Sequence, residues 1–339
     1  MNNEPTKQPS AEYFSARTLE ARGSCSKCHY VLPRLVDCAP KYFEHGYIIC
    51  EQCGANVDLW QAALSRAKAL SFAPWSLVWL GATQTSLAME MKTGNYYEIS
   101  LMDHGAPPDA KILSTNYTSQ GGDNGAVTSL EWHGNTPRRR VEGTTLRLFA
   151  IPLGEGPEPR AGRVAISVVW IRGDESDAWP YLTTAFESAA AREYAPSMVF
   201  AQSAVEISMM PVIKQRLWRH AATDRVENFM KDSLTYSHAL NVLLPYMSAE
   251  LGARKMPDEV RGALNKMRKK RNDIIHEGAK VAAVTPEDAM EGLCAAAFGF
   301  EYMRYVGPTL LEGKKMTSKN STPSSSPRTS PTHDDERQR

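Results

Sequence analysis

The chain has 339 residues, 42% of them hydrophobic and 23% charged, with a formal net charge of +1. That length suits two or three domains, and the composition is ordinary for a globular protein. A balanced charge excludes attraction of a polyanion by the molecule as a whole, so a nucleic-acid partner must meet a local basic patch. No apolar run approaches the roughly 18 residues of a membrane span. The polar start MNNEPTKQPS also lacks the apolar core of an export signal. The expected setting is the cytoplasm, with no membrane contact, where clustered cysteines read as metal ligands rather than disulfides.

Residues 1–24 are polar and without periodicity, and are expected to form a tail. Residues 25–56 hold two C-x-x-C knuckles, Cys25-Ser26-Lys27-Cys28 and Cys50-Glu51-Gln52-Cys53, the second closed by Gly54. Two residues between thiols let both sulfurs point into one tetrahedral site, about 2.3 Å from a zinc ion. The segment looks like a zinc ribbon. Cys25, Cys28, Cys50 and Cys53 fill a tetrahedron, so the zinc is expected to be structural, with no open position for a substrate water. A redox dithiol is the competing reading, but no βαβ pattern surrounds the pairs. Cys38, His29 and His45 lie near enough in sequence to substitute as ligands, while Cys38 and Cys294 otherwise read as inert thiols. Lys27, Arg34 and Lys41 with Tyr30, Tyr42 and Phe43 could meet nucleic acid. With only three basic residues in the loop, the preferred reading is that the rings pack around the knuckles.

Residues 57–73 read as a connecting segment with a short helix from Val57 to Leu70. Residues 74–175 change character. Short β-prone runs at Ser76–Leu80, Tyr96–Leu101, Val127–Trp132, Thr144–Ile151 and Val164–Ile171 alternate with glycine turns, which predicts a β-rich, sandwich-like domain. Residues 176–310 are helical in pattern. Pro196 suits a helix start, Pro211 and Pro245 are expected to kink or interrupt their helices, and Thr285-Pro286-Glu287-Asp288 is a capped start. Residues 311–339 are Ser, Thr, Pro, Lys and Arg with little apolar surface, and are expected to be disordered. The fold class expected is multidomain α+β: a small zinc ribbon, a β-rich middle domain and a C-terminal all-α bundle.

Pro257-Asp258-Glu259 opens the helix of greatest interest, and Gly278 is placed to close it. Val260, Leu264 and Met267 form an apolar stripe, continued by Ile274 and Ile275, and Arg271 falls on it four residues after Met267. An arginine on such a stripe must find an acid, a carbonyl or a phosphate. Arg261, Lys266, Arg268, Lys269, Lys270 and Arg271 follow one another with no acid between them; Arg261, Arg268 and Lys269 are candidate nucleic-acid contacts, or simply a solvated face. Arg138-Arg139-Arg140 reads as an exposed loop. Within Arg271-Asn272-Asp273-Ile274-Ile275-His276, an arginine, an amide and a histidine stand close together. Arginine offers a planar fork for phosphate oxygens, and histidine exchanges a proton near neutral pH. Arg271 and His276 are five positions apart, so a straight helix turns them about 140° from each other.

This segment resembles the Arg-Asn-x-x-x-His signature of HEPN domains, with supporting helices around Ala204-Val205-Glu206 and Ala239–Leu244. The resemblance covers about residues 177–310. It implies an all-α, HEPN-like bundle and metal-independent RNA cleavage by the neighbouring 2′-hydroxyl. It assigns Arg271 and His276 as catalytic with Asn272 in support, and makes Glu206 a candidate to hold Arg271 or His276. It also implies a homodimer in which two motifs face one cleft, and a toxin or defence effector as the setting. A non-catalytic HEPN-like module that binds RNA or protein, with the ribbon as adaptor, is the alternative. A zinc-ribbon DNA-binding regulator is the third reading, and it requires a continuous basic surface.

Overall fold

The computed structural model describes residues 23–69, 76–92, 95–120, 129–132, 144–151, 161–277 and 284–312. The chain mixes helix and sheet: a cysteine cluster near its start, then strands, then a helical C-terminal region. Between the knuckles runs α1 (Leu35–His45), followed by the two-residue strands β1 (Ile48–Ile49) and β2 (Asn56–Val57) and by α2 (Leu59–Ala69). A single helical turn, α3 (Ser76–Trp79), stands where the sequence predicts a strand over Ser76–Leu80. Leu77, Val78, Trp79 and Leu80 are all buried. A continuous apolar run carries no period to tell a buried strand from a buried helix, and here the helix wins.

Six strands follow: β3 (Thr83–Lys92), β4 (Tyr96–Ser100), β5 (Lys111–Gln120), β6 (Ser129–Trp132), β7 (Thr145–Ile151) and β8 (Ala161–Ile171). They form two three-stranded antiparallel sheets, ordered β3-β8-β5 and β4-β7-β6. β3 and β5 are strands that no sequence run announced, because half of their residues are polar. Leu87, Met89 and Met91 of β3 and Val164, Ile166, Val168 and Trp170 of β8 join Ile99, Leu146 and Leu148 of the other sheet in one core. Alternation along β8 sends Val169 and Ile171 to the opposite side, into the helical core. The sheet β3-β8-β5 is therefore a wall shared by two cores. Arg138-Arg139-Arg140 lies outside the described residues.

The helices are α4 (Trp179–Ala190), α5 (Tyr194–Trp218), α6 (Thr223–Asp232), α7 (Tyr236–His238), α8 (Leu244–Glu250), α9 (Asp258–Glu277) and α10 (Pro286–Glu312). A π-helical turn, Ala239–Leu243, joins α7 to α8. It precedes Pro245, whose missing N–H leaves the carbonyl of Asn241 without its usual partner, and the ladder widens there. Pro211 does not end α5, which runs on to Trp218. α10 begins as expected, with the Asp288 N–H donating to Thr285 Oγ1 at 3.1 Å. Gly299 of α10 has no Cβ where one would stand 3.3 Å from Leu264 and 3.4 Å from Val205, so α9 and α5 pack close to α10.

The cysteine segment shares this helical core. Phe298 of α10 receives Tyr42 of α1 at 5.6 Å, Trp60 of α2 at 5.3 Å and Trp79 of α3 at 6.0 Å, all near edge-on. Phe43 meets Tyr302 in the same way at 5.2 Å. Cys25, Cys50, α2 and α3 thus belong to one core with α4 to α10, although residues 25–56 and 57–73 read as separate units in sequence. A ribbon-sized segment cannot bury these rings by itself, and α10 supplies the missing surface. Among the described residues no helix is long and apolar enough to cross a membrane.

A polar joint ties α10 to the segments that precede β3 and follow β8. Arg304 of α10 donates from Nη1 to the Leu80 carbonyl at 3.0 Å and to Glu301 Oε1 at 3.2 Å, and its Nη2 lies 3.9 Å from Glu175. Burial pushes the Glu301 carboxyl up to about 7, against the pull of Arg304 and with help from Glu175 and Asp37. Between the ordinary 4.5 and about 7, folded Glu301 keeps a proton that the unfolded chain has released, so stability falls as pH rises through that window. The expected size is on the order of 3 kcal/mol. Glu301→Gln should flatten the change in urea stability between pH 5 and pH 8. An identical drop in both proteins would remove Glu301 as its source.

Candidate functional site

The first candidate is the cysteine cluster. Sγ of Cys25 lies 3.7 Å from Sγ of Cys53, Sγ of Cys28 lies 3.6 Å from Sγ of Cys50, and all four fall within 4.8 Å of one another. A tetrahedron with arms of about 2.3 Å has edges near 3.8 Å. The four sulfurs therefore fit a metal ion at their centre.

Both knuckles have the same backbone form. The His29 N–H donates to the Cys25 carbonyl at 2.8 Å and Cys25 N–H to the Tyr30 carbonyl at 2.9 Å. The Gly54 N–H donates to the Cys50 carbonyl at 2.9 Å and Cys50 N–H to the Ala55 carbonyl at 2.8 Å. Each knuckle needs a left-handed residue just after its second cysteine: Gly54 at φ 69° and His29 at φ 58°. Glycine adopts this freely, whereas His29 carries a side chain in the same conformation. His29 is exposed and stands outside the four-sulfur group, as does His45. Backbone N–H groups of Cys28 and Lys27 bring the Cys25 thiol down to about 7, toward the thiolate a metal binds.

The other cysteines are apart from the cluster. Cys38 is buried in α1, donates to the Arg34 carbonyl at 3.1 Å, and is pushed up to about 12 by burial. Burial also pushes Cys294 up. Tyr42 and Phe43 are core residues, and Arg34 pairs with Asp37 at 2.8 Å, so these three are not the base contacts weighed from sequence. Tyr30, Lys27 and Lys41 are exposed.

The second candidate is the C-terminal half of α9. Val260, Leu264 and Met267 are buried, and there the apolar stripe ends. Ile274 is half-buried and Ile275 is 49% exposed, so the last turns of α9 run past the core. Arg271 is half-buried and meets no acid among the described residues. Its Nη1 donates to Oδ1 of the adjacent Asn272 at 3.2 Å. That bond draws the guanidinium toward Asn272, which lies one turn from His276 on the same face. His276 is exposed. Within one chain the structure gives no contact between Arg271 and His276.

Half of the basic run is taken up by acids. Lys266 lies 3.1 Å from Asp288 and 2.7 Å from Glu291, and Lys270 lies 3.3 Å from Asp288. The Lys266 ammonium is held above its ordinary value by its hydrogen bond to Glu291. Burial works to raise Asp288, but Lys266 and Lys270 outweigh it and lower the carboxyl. Arg261 pairs with Asp258 one turn earlier on α9, which removes it as a free nucleic-acid contact. Lys269 is exposed and Arg268 half-buried.

Glu206 does not hold Arg271 or His276. It lies near Tyr236, whose phenol is raised first by burial and then by the charge of Glu206, while Arg268 lowers it. The residues that sequence reasoning passed over are those that clasp α9. Asn241, in the π turn, and Asn265, in α9, exchange amide hydrogen bonds at 3.0 and 2.9 Å. Asn241 also donates to the Ser237 carbonyl, and Asn265 to that of Arg261. Each asparagine is ordinary in its own helix, and only their meeting across 24 residues makes them a pair. No protein-family model, no curated protein and no solved structure matches this chain.

Proposed function

We propose that the chain is a metal-independent endoribonuclease of HEPN type, acting through Arg271, Asn272 and His276, with a structural zinc ion held by Cys25, Cys28, Cys50 and Cys53. The carrying observation is the state of Arg271. Among the described residues this arginine pairs with no acid, and its guanidinium bonds to Asn272, inside the motif. A guanidinium in that state has donors left for phosphate oxygens. His276, exposed nearby, is placed to transfer a proton at working pH. The 2′-hydroxyl of the RNA attacks the adjacent phosphorus and loses its proton to a base. The bond to the 5′-oxygen breaks, and that oxygen takes up a proton. The zinc supplies folding free energy and no reacting group.

A second copy of the chain completes the arrangement in this reading. Two α9 ends facing across a two-fold axis place the Arg271 of one beside the His276 of the other, and the interface is isologous. Sedimentation at micromolar concentration is expected to show a dimer. A fully active monomer would remove the second copy from the mechanism. The non-catalytic alternative draws on the exposure of His276, which touches neither Arg271 nor an acid among the described residues. Incubation of the purified chain with mixed RNA and EDTA separates the two. Fragments ending in 2′,3′-cyclic phosphate support the enzyme, and bound but intact RNA supports the binding module.

A further inference from the structure

Arg268, Asn272 and His276 recur at every fourth residue of α9, so they lie within about 80° of arc on one face. Arg271 reaches that face only by its bond to Asn272. Arg268 therefore shares the face of the histidine more directly than the motif arginine does. Its environment differs from that of the paired cations of α9. Lys266, Lys270 and Arg261 are paired with acids. The Nε of half-buried Arg268 is shielded from solvent and has no acceptor, and no ion pair joins the side chain to any described residue.

Tyr236, 7% exposed, has a buried hydroxyl with no partner among the described residues, and its phenol feels the charges of both Glu206 and Arg268. Gln202, one turn before Glu206 on α5, also keeps a buried Oε1 without a donor. A half-buried cation with no acid partner among the described residues calls for an anion that completes it. Here the incomplete group is cationic and stands on the same helix face as the proposed reacting residues.

We propose that Arg268 binds a second phosphate of single-stranded RNA, flanking the phosphate on which Arg271 and His276 act. This rests on the RNA-cleaving reading above. Arg268 and His276 are separated by about 12 Å along the axis. That exceeds a base step of roughly 3.4 Å, so the two contacts belong to phosphates of different nucleotides. A dinucleotide has one internal phosphate and cannot use both. The site thus takes single strands of three or more nucleotides. Glu206 and Tyr236 are positioning residues that back the guanidinium from the protein side.

The test uses the full chain and a fluorescent single-stranded DNA oligonucleotide, which lacks the attacking hydroxyl and stays intact. Binding is measured against salt for the wild type, Arg268→Gln and Arg268→Lys. Each phosphate contact on a single strand contributes about 0.7 to the slope of log affinity against log salt. Arg268→Gln should lower that slope by about 0.7 and weaken binding several-fold, while Arg268→Lys keeps the slope. With a cleavable RNA decamer, Arg268→Gln should raise KM more than it lowers kcat. If Arg268→Gln fails to fold with Glu206 left uncompensated, Arg268→Gln/Glu206→Gln removes both charges and carries the same test. An unchanged slope in a protein that still cuts RNA overturns the Arg268 assignment alone. A wild type that neither binds the oligonucleotide nor cuts RNA overturns the endoribonuclease reading, and this one with it.

Discussion

Arg271→Ala and His276→Ala are each expected to abolish RNA cleavage in a chain that remains folded. Neither side chain is part of a hydrophobic core: among the described residues Arg271 is bonded only to its neighbour Asn272, and His276 is exposed. Their removal leaves no cavity and no unpaired buried acid, so unfolding curves should overlay those of the wild type. Activity should not survive. One well-placed donor to a developing charge is worth roughly 3–4 kcal/mol, and one positioned proton carrier about 10²–10⁴-fold in rate. Asn272→Ala should have a smaller effect in the same direction, since it releases the Arg271 guanidinium from the face it shares with His276. EDTA should spare cleavage in a short assay, because neither role needs a metal. DNA should be untouched by the same enzyme, as it lacks the attacking hydroxyl. Equal cutting of DNA would rule out the proposed mechanism, and unchanged RNA cleavage in both variants would move the site elsewhere.

Cys50→Ser/Cys53→Ser is expected to lose the metal and to lower the stability of much more than residues 25–56. Structural zinc sites supply on the order of 10 kcal/mol or more of binding free energy, and that energy is spent on folding. In this chain Cys25 and Cys50 are buried in the same core as Tyr42, Trp60, Phe298 and Tyr302. Release of the knuckles therefore loosens the docking of α1 and α2 on α10, the helix against which α5 and α9 also pack. Elemental analysis should give one zinc per wild-type chain and none in the variant, and the variant should melt at lower temperature with loss of near-ultraviolet circular dichroism. Freshly purified wild-type protein without zinc, or a variant that keeps its zinc, would reject the assignment. A variant that loses zinc but melts like the wild type would show that the aromatic contacts alone hold the segment to α10.

Some of this was legible in the residue order because the physics involved is local. Two C-x-x-C pairs place four sulfurs by the geometry of a short turn, and the structure brings those same four together. Thr285 caps α10 because a hydroxyl three residues before an amide is a matter of one turn. The apolar stripe of α9 follows from its period, as does the general passage from strands to helices.

The tertiary structure decided what the period could not. Ser76–Leu80 is apolar on every side, so only its surroundings make it a helix rather than a strand. Asp288 and Glu291 lie far along the chain from the basic run, yet they neutralise Lys266 and Lys270 because α10 folds back beside α9. Glu206 stands near Tyr236 rather than near Arg271 or His276 for the same reason: how α5 is turned against its neighbours is set by packing and not by its own spacing. The cysteine segment looked self-contained because its metal ligands are local, whereas its rings needed Phe298 and Tyr302 from the other end of the chain. Spacing within one helix or turn determined the chemistry each segment offers. Which charges stay free, and which surfaces are covered, depended on contacts between separate elements of the chain, and those contacts exist only once the chain has closed on itself.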